Sequence, residues 1–125
     1  MEMKGYQQYK EHSISTMTQG ELLLLLYDEL VKHLTRAELA LDKADYGQLE
    51  DSVDRSQRII RYLSDILDMQ YPISHDLNRL YDYFDYELVR VKTGRNKTEL
   101  ERVKRMISEL RESFRAAEKN NASGK

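Results

Sequence analysis

Three histidines, His12, His33 and His75, and two acidic groups, Glu50-Asp51-Asp54 and Asp82-Asp85-Glu87, are the side chains of this 125-residue sequence whose types suit chemistry. Neither set has the spacing of a working site. A di-metal helical bundle takes a glutamate from each of two helices and a Glu-x-x-His from each of two others, and no Glu-x-x-His occurs. No two histidines stand at ligand spacing, so all three read as isolated surface residues. His33 lies in Lys32-His33-Leu34-Thr35, without the nearby glycine that would open space around a phosphorylated ring, which argues against a phosphotransfer bundle. Arg55 and Arg58 follow Asp51 and Asp54 by four residues, the spacing of helix-surface ion pairs, and the acidic groups read as solvated faces. The absence of cysteine excludes thiolate metal sites and cysteine nucleophiles. With no glycine-rich phosphate loop and no nucleophile–base pair, the expectation is a protein that is not an enzyme and holds neither cofactor nor metal.

Composition narrows the class further. Hydrophobic residues make up 40% and charged residues 34%, a soluble globular balance that fits one domain of this length. Twenty basic against 22 acidic side chains give no general attraction to phosphate backbones, so nucleic acid is not an expected partner. No apolar run is long enough to span a membrane, and the start, Met1 to Tyr9, lacks the apolar segment of a signal peptide. A cytoplasmic protein is expected.

Five glycines and one proline leave few breaks, and each falls where helical periodicity stops. Thr18-Gln19-Gly20-Glu21 has the form of a capping box and opens a first helix over residues 19–44, with Leu23, Leu26, Tyr27, Leu30, Leu34, Ala37, Leu41 and Ala44 on one face. Asp45 and Gln48 make a similar pair before a second helix, which carries Leu49, Val53, Ser56, Ile60, Leu63 and Leu67 and runs to about Met69. Tyr71-Pro72 breaks it, and Ser74 is placed to cap a third helix bearing Leu77, Leu80, Tyr81, Phe84, Leu88 and Val91. Gly94 suits the left-handed residue that ends it. Thr98 and Glu101 then open a fourth helix with Leu100, Val103, Ile107, Leu110, Phe114 and Ala117 inward.

Four amphipathic helices joined by short connections predict an all-α, antiparallel up-down four-helix bundle over residues 18–119. Residues 1–17 form an N-terminal arm whose Tyr6, Tyr9, Ile14 and Met17 could dock on the bundle, and 120–125 read as a disordered tail. Apolar residues also lie outside these stripes. Ile59, Tyr62, Ile66 and Met69 widen the second helix's apolar arc, Leu25 has no core position, and Tyr83 and Tyr86 point away from the third helix's stripe. Apolar surface of this kind, with a groove between helices, suits a helical binding module that takes an amphipathic partner helix.

Gly5-Tyr6-Gln7-Gln8-Tyr9, then Ser15-Thr16-Met17-Thr18-Gln19-Gly20-Glu21 followed by Leu22 to Leu26, Tyr27 and Asp28, resembles the opening of the flagellin-specific export chaperone family, FliS. Asn78-Arg79-Leu80-Tyr81-Asp82-Tyr83 is similar to that family's third-helix motif, so Leu-Tyr-Asp appears in both helices. The likeness runs from Tyr6 to about Phe114. Many members carry a proline where this chain has Gln19-Gly20, and here the capping box does the same job.

The resemblance implies a cytoplasmic chaperone that binds the disordered C-terminal segment of flagellin one-to-one. It would block premature polymerisation and keep its client fit for flagellar type III secretion. It also implies that the tyrosine-bearing arm covers part of the client groove. Expected contacts are Tyr6, Leu25, Tyr27, Ile59, Tyr62, Ile66, Tyr83 and Tyr86, of which Tyr6 and Tyr27 also belong to the family motif. The protein would be a monomer or weak dimer, with other flagellar export or regulatory proteins as further partners. Two other functions share the same wide stripes: a regulatory adaptor sequestering a different helical partner, and a self-associating structural bundle.

Overall fold

Thr18 starts the first helix as its spacing predicts. Its Oγ1 accepts the Glu21 N–H at 3.1 Å, and Glu21 Oε1 accepts the Thr18 N–H at 3.4 Å. The structure, a computed structural model, describes residues 17–123, which form α1 (Gln19–Asp42), α2 (Tyr46–Asp65), α3 (Pro72–Gly94) and α4 (Lys97–Ser123). Each helix packs on the one before it, and α4 returns to α1, closing the expected up-down bundle.

The connections differ from the sequence reading, and each difference has a local cause. Helix α1 stops at Asp42, two residues early. Ala44 takes a left-handed φ of 54°, the Asp45 N–H donates to the Ala40 carbonyl at 2.8 Å, and the Ala44 N–H donates to the Leu41 carbonyl at 3.1 Å. These two bonds make a Schellman turn with alanine in the position that usually favours glycine, so Ala44 is exposed rather than part of the buried stripe. Asp45 caps α2 through the Gln48 N–H at 3.2 Å.

Helix α2 ends at Asp65, four residues short of Met69. Asp68 organises the following turn, its Oδ1 accepting the Gln70 N–H at 3.0 Å. Pro72 rather than Ser74 starts α3, with Tyr71 as the extended N-cap, and Ser74 is buried in the first turn. At the far end Gly94 stays helical and Arg95 takes the left-handed φ of 55°. Its guanidinium lies 3.5 Å over the Tyr46 ring, a cation–π contact that glycine cannot make. Asn96, not Thr98, caps α4, its Oδ1 accepting the Glu99 N–H at 3.1 Å. Helix α4 then continues through Asn120 to Ser123, into the stretch expected to be irregular, because no breaker precedes Gly124.

The core follows the middle of each predicted stripe, whereas Ala117, expected inward, is exposed near the end of α4, and Leu23, Leu26, Leu41, Leu67, Leu80, Leu110 and Phe114 are only partly buried. Leu49, Val53, Ser56, Ile60 and Leu63 of α2 are all buried, against Tyr27, Leu30, Leu34 and Ala37 of α1 and against Tyr81, Phe84, Leu88 and Val91 of α3. Leu100, Val103 and Ile107 complete it from α4. Cross-helix ion pairs tie the outside, Lys92 to Asp54 at 2.7 Å and Lys104 to Glu38 at 2.6 Å. Arg55 and Asp51 make the expected pair at 3.0 Å, whereas Asp54 reaches across to Lys92 and not along its helix to Arg58.

Candidate functional site

A cavity of about 480 Å³ opens at the end of the bundle where α1 begins, α2 ends and α3 begins. Leu22 and Leu23 enter from the first turns of α1, Tyr62, Leu63, Ile66 and Leu67 from the end of α2, Leu77 and Tyr81 from α3, and Phe114 from α4. Tyr71, in the turn before α3, closes one side, and Gln19, Asp68 and Ser74 supply polar atoms. The groove exists because α2 stops at Asp65 while its apolar pattern does not. Past the helix end Leu67 still packs against the core, while Ile66 stands exposed.

Beneath it the two Leu-Tyr-Asp motifs meet. Tyr27 and Tyr81, 54 residues apart in the chain, share a hydroxyl–hydroxyl hydrogen bond of 2.5 Å. The Tyr27 ring stands 5.3 Å from that of Phe114. Burial pushes the Tyr27 hydroxyl well above the usual tyrosine range and raises that of Tyr81, so both stay protonated. At the same end the Glu118 carboxylate lies against the first turn of α1, beside Gly20. An acid at that position complements the positive end of the helix.

The eight expected contact residues separate. Tyr62 and Ile66, each 47% exposed, line the groove. Tyr27 is fully buried and belongs to the core under the groove, because its ring and hydroxyl are both satisfied by packing and by Tyr81. Ile59 and Tyr83 are half-buried and pack against the core, the Tyr83 ring 6.0 Å from that of Phe84 and its hydroxyl engaged by Arg102. Leu25 is half-buried outside the groove, Tyr86 is exposed farther along α3, and Tyr6 lies outside the described residues. Leu22, Leu67, Tyr71 and Phe114 line the groove without having been singled out as contacts. An aromatic residue directly before the only proline, off any helical stripe, is the signal that points to Tyr71.

Two other chemistry-bearing side chains, His33 and Glu87, are largely buried. The His33 side chain is only 11% exposed, not a surface histidine, with Nε2 at 3.9 Å from Glu29 and Nδ1 buried without a partner. Burial lowers its pKa. Glu87 is buried too, not on a solvated face. Its hydrogen bond with Glu99 raises its pKa and lowers that of Glu99, while Arg90 Nη1 donates to Glu87 Oε1 at 3.2 Å. Among the described residues no group of three or more His, Asp or Glu side chains is placed to hold a metal ion, and no helix is long and apolar enough to cross a membrane.

Four antiparallel helices with a buried tyrosine pair under an apolar end groove define an all-α four-helix bundle. Residues 2–121 match the family model of the flagellar protein FliS, and the chain belongs to that family. It is 27% identical over 112 residues to the flagellar secretion chaperone FliS of Bacillus subtilis (strain 168), spanning 90% of this chain and 84% of that protein. Its fold is similar to that in a crystal structure of a bacterial flagellar chaperone, with a TM-score of 0.77 at 18% identity, over 96% of this chain and 99% of that one.

Proposed function

We propose that this protein is an export chaperone that holds the C-terminal segment of flagellin, one-to-one, with an amphipathic turn of the client seated in the end groove. The observation that carries this reading is the groove itself: an apolar cavity bordered by Tyr62, Ile66 and Tyr71, all substantially exposed, on a bundle whose core is complete without them. Family membership and the likeness to the Bacillus subtilis chaperone support it. A client segment that is disordered when free folds onto the groove and gives up ordering entropy in doing so. Binding is therefore specific without being irreversible. Covering the client's apolar face prevents premature polymerisation and leaves the subunit extended enough for type III secretion, and the site of action is the cytoplasm.

The arm bearing Tyr6 and Ile14 competes for the same surface in this reading. Both residues lie outside the described part of the chain, while Met17, half-buried, leads directly into the groove at Gln19. Calorimetric titration with a peptide of flagellin's C-terminal helical region tests the proposal. One-to-one binding with a negative heat-capacity change is expected. Absence of binding to the intact protein refutes it.

A further inference from the structure

We propose that Asp68, on the lip of the groove, sets the register of the docked segment by accepting a lysine or arginine that stands about one helical turn from its apolar anchors. This rests on the reading of the groove as the flagellin-docking site and adds the charge that the bound segment must carry. Between Arg61 and Arg79 the chain has no lysine or arginine but three aspartates, Asp65, Asp68 and Asp76. Asp76 alone has a cation, Arg79. Helix α2 ends on this lip with no basic residue in its last turn, so the negative end of its dipole adds to Asp65 and Asp68, which have no cation among the described residues.

The N-terminal ends of α1 and α3 open on the same groove, but among the described residues no lysine or arginine side chain lines it. Arg111 and Arg115 of α4 are held by Asp28, at 3.5 and 3.6 Å, and by Glu112. His75 Nε2 is engaged with the Met69 carbonyl at 3.1 Å. The acidic lip continues into a smaller depression of about 80 Å³ that shares Tyr81 with the groove, where Asp65, Asp82 and Asp85 face the single cation Arg61.

Asp68 is the carboxylate that lines the groove itself. The Gln70 N–H holds its Oδ1 at 3.0 Å, and its other oxygen has no partner among the described residues. A carboxylate so oriented costs the occupant little ordering entropy when it pairs. It also repels any segment that offers an acid at that place, so it selects as well as attracts.

The test is a double-mutant cycle in the full-length protein. Wild type and Asp68→Asn, which keeps the oxygen that binds Gln70, are titrated with the flagellin C-terminal peptide and with versions in which each lysine and arginine is replaced in turn by glutamine. Asp68→Asn is expected to weaken binding about fivefold, as for an exposed ion pair. One peptide substitution should match it, and the two together should be no worse than either alone. Raising salt from about 0.1 to about 1 M, which shortens screening from about 10 to about 3 Å, should erase the difference. Glu101→Gln, which removes the same charge at the opposite end of the bundle, should change nothing. Binding that stays within twofold for Asp68→Asn, with no coupled peptide position, overturns the inference while leaving the groove assignment standing. No binding of the unmodified peptide to wild type overturns both. A salt dependence abolished by Lys4→Gln with Lys10→Gln, rather than by any peptide substitution, would assign the cation to this chain's own residues 1–16 and overturn the proposal.

Discussion

Removing the two exposed walls of the groove should cost client affinity far more than stability. Tyr62 and Ile66 are each 47% exposed in the free protein, so docking can still bury about half of each side chain. An aromatic side chain buries roughly 150–250 Å² in full, which leaves about 100 Å² of Tyr62 for the client to cover. At about 25 cal/mol per Å² that area is worth roughly 2.5 kcal/mol, and half of a fully buried isoleucine about 1 kcal/mol. Allowing for the Cβ atoms that alanine keeps, Tyr62→Ala with Ile66→Ala should lose about 2–3 kcal/mol of binding, or roughly 30- to 150-fold in Kd.

The assay is titration of the flagellin C-terminal peptide into both proteins, with a urea unfolding curve for each. Ile66 lies just past the end of α2 and Tyr62 in its last turn, so the bundle should remain cooperative with a modestly lower midpoint. Tyr86→Ala removes an aromatic side chain that is 63% exposed, outside the groove, and should change affinity by less than about threefold. A double variant that binds within about threefold of wild type would refute the groove as the docking site. A greater loss at Tyr86 than at Tyr62 and Ile66 would move the site along α3.

Three further outcomes follow from the bundle's interior. Tyr27→Phe and Tyr81→Phe each strand a buried hydroxyl and should cost about 1–3 kcal/mol singly, while the double variant should be less destabilised than their sum; simple additivity in urea unfolding would deny the hydrogen bond between them. Ala44→Gly relieves a left-handed alanine and should raise stability by about 0.5–1 kcal/mol, and a lowered urea midpoint would contradict the turn geometry. Glu87 has its folded pKa raised by the bond to Glu99, so the folded state takes up this proton before the unfolded chain does. Its contribution is full below the unpaired glutamate pKa and lost as pH rises through the raised one, so between the two stability should increase as pH falls, while the lowered pKa of Glu99 acts in the opposite sense only below the unpaired value. Glu87→Gln carries a permanent hydrogen there, should be more stable than wild type at neutral pH and should flatten that slope; an unchanged slope from thermal unfolding across this range would show that the pair does not share a proton.

The repeat of Leu-Tyr-Asp shows what a sequence pattern can and cannot reveal here. Periodicity assigns a face, and the faces were legible: the 4-3-4-3 run from Leu49 to Leu63 is buried residue by residue. It does not say where a helix stops, because competing caps such as Ser74 or Pro72, Thr98 or Asn96, and Gly94 or Arg95 differ by less than the tertiary contacts that choose among them. Arg95 prevails over Gly94 where Tyr46 offers its ring, and Tyr46 is distant in the chain. The groove depends on such choices. Leu67 and Phe114 belong to inward stripes by spacing, yet they line an opening because α2 ends at Asp65 and α3 restarts at Pro72. Tyr27 looked like a contact because its motif is distinctive, but its partner is Tyr81, so the motif's two tyrosines build the floor and leave the walls to residues with no motif at all. Floor and walls should therefore separate under mutation: changes at Tyr27 or Tyr81 alter stability first and affinity only through it, whereas changes at Tyr62, Ile66 or Tyr71 alter affinity in a bundle that still folds.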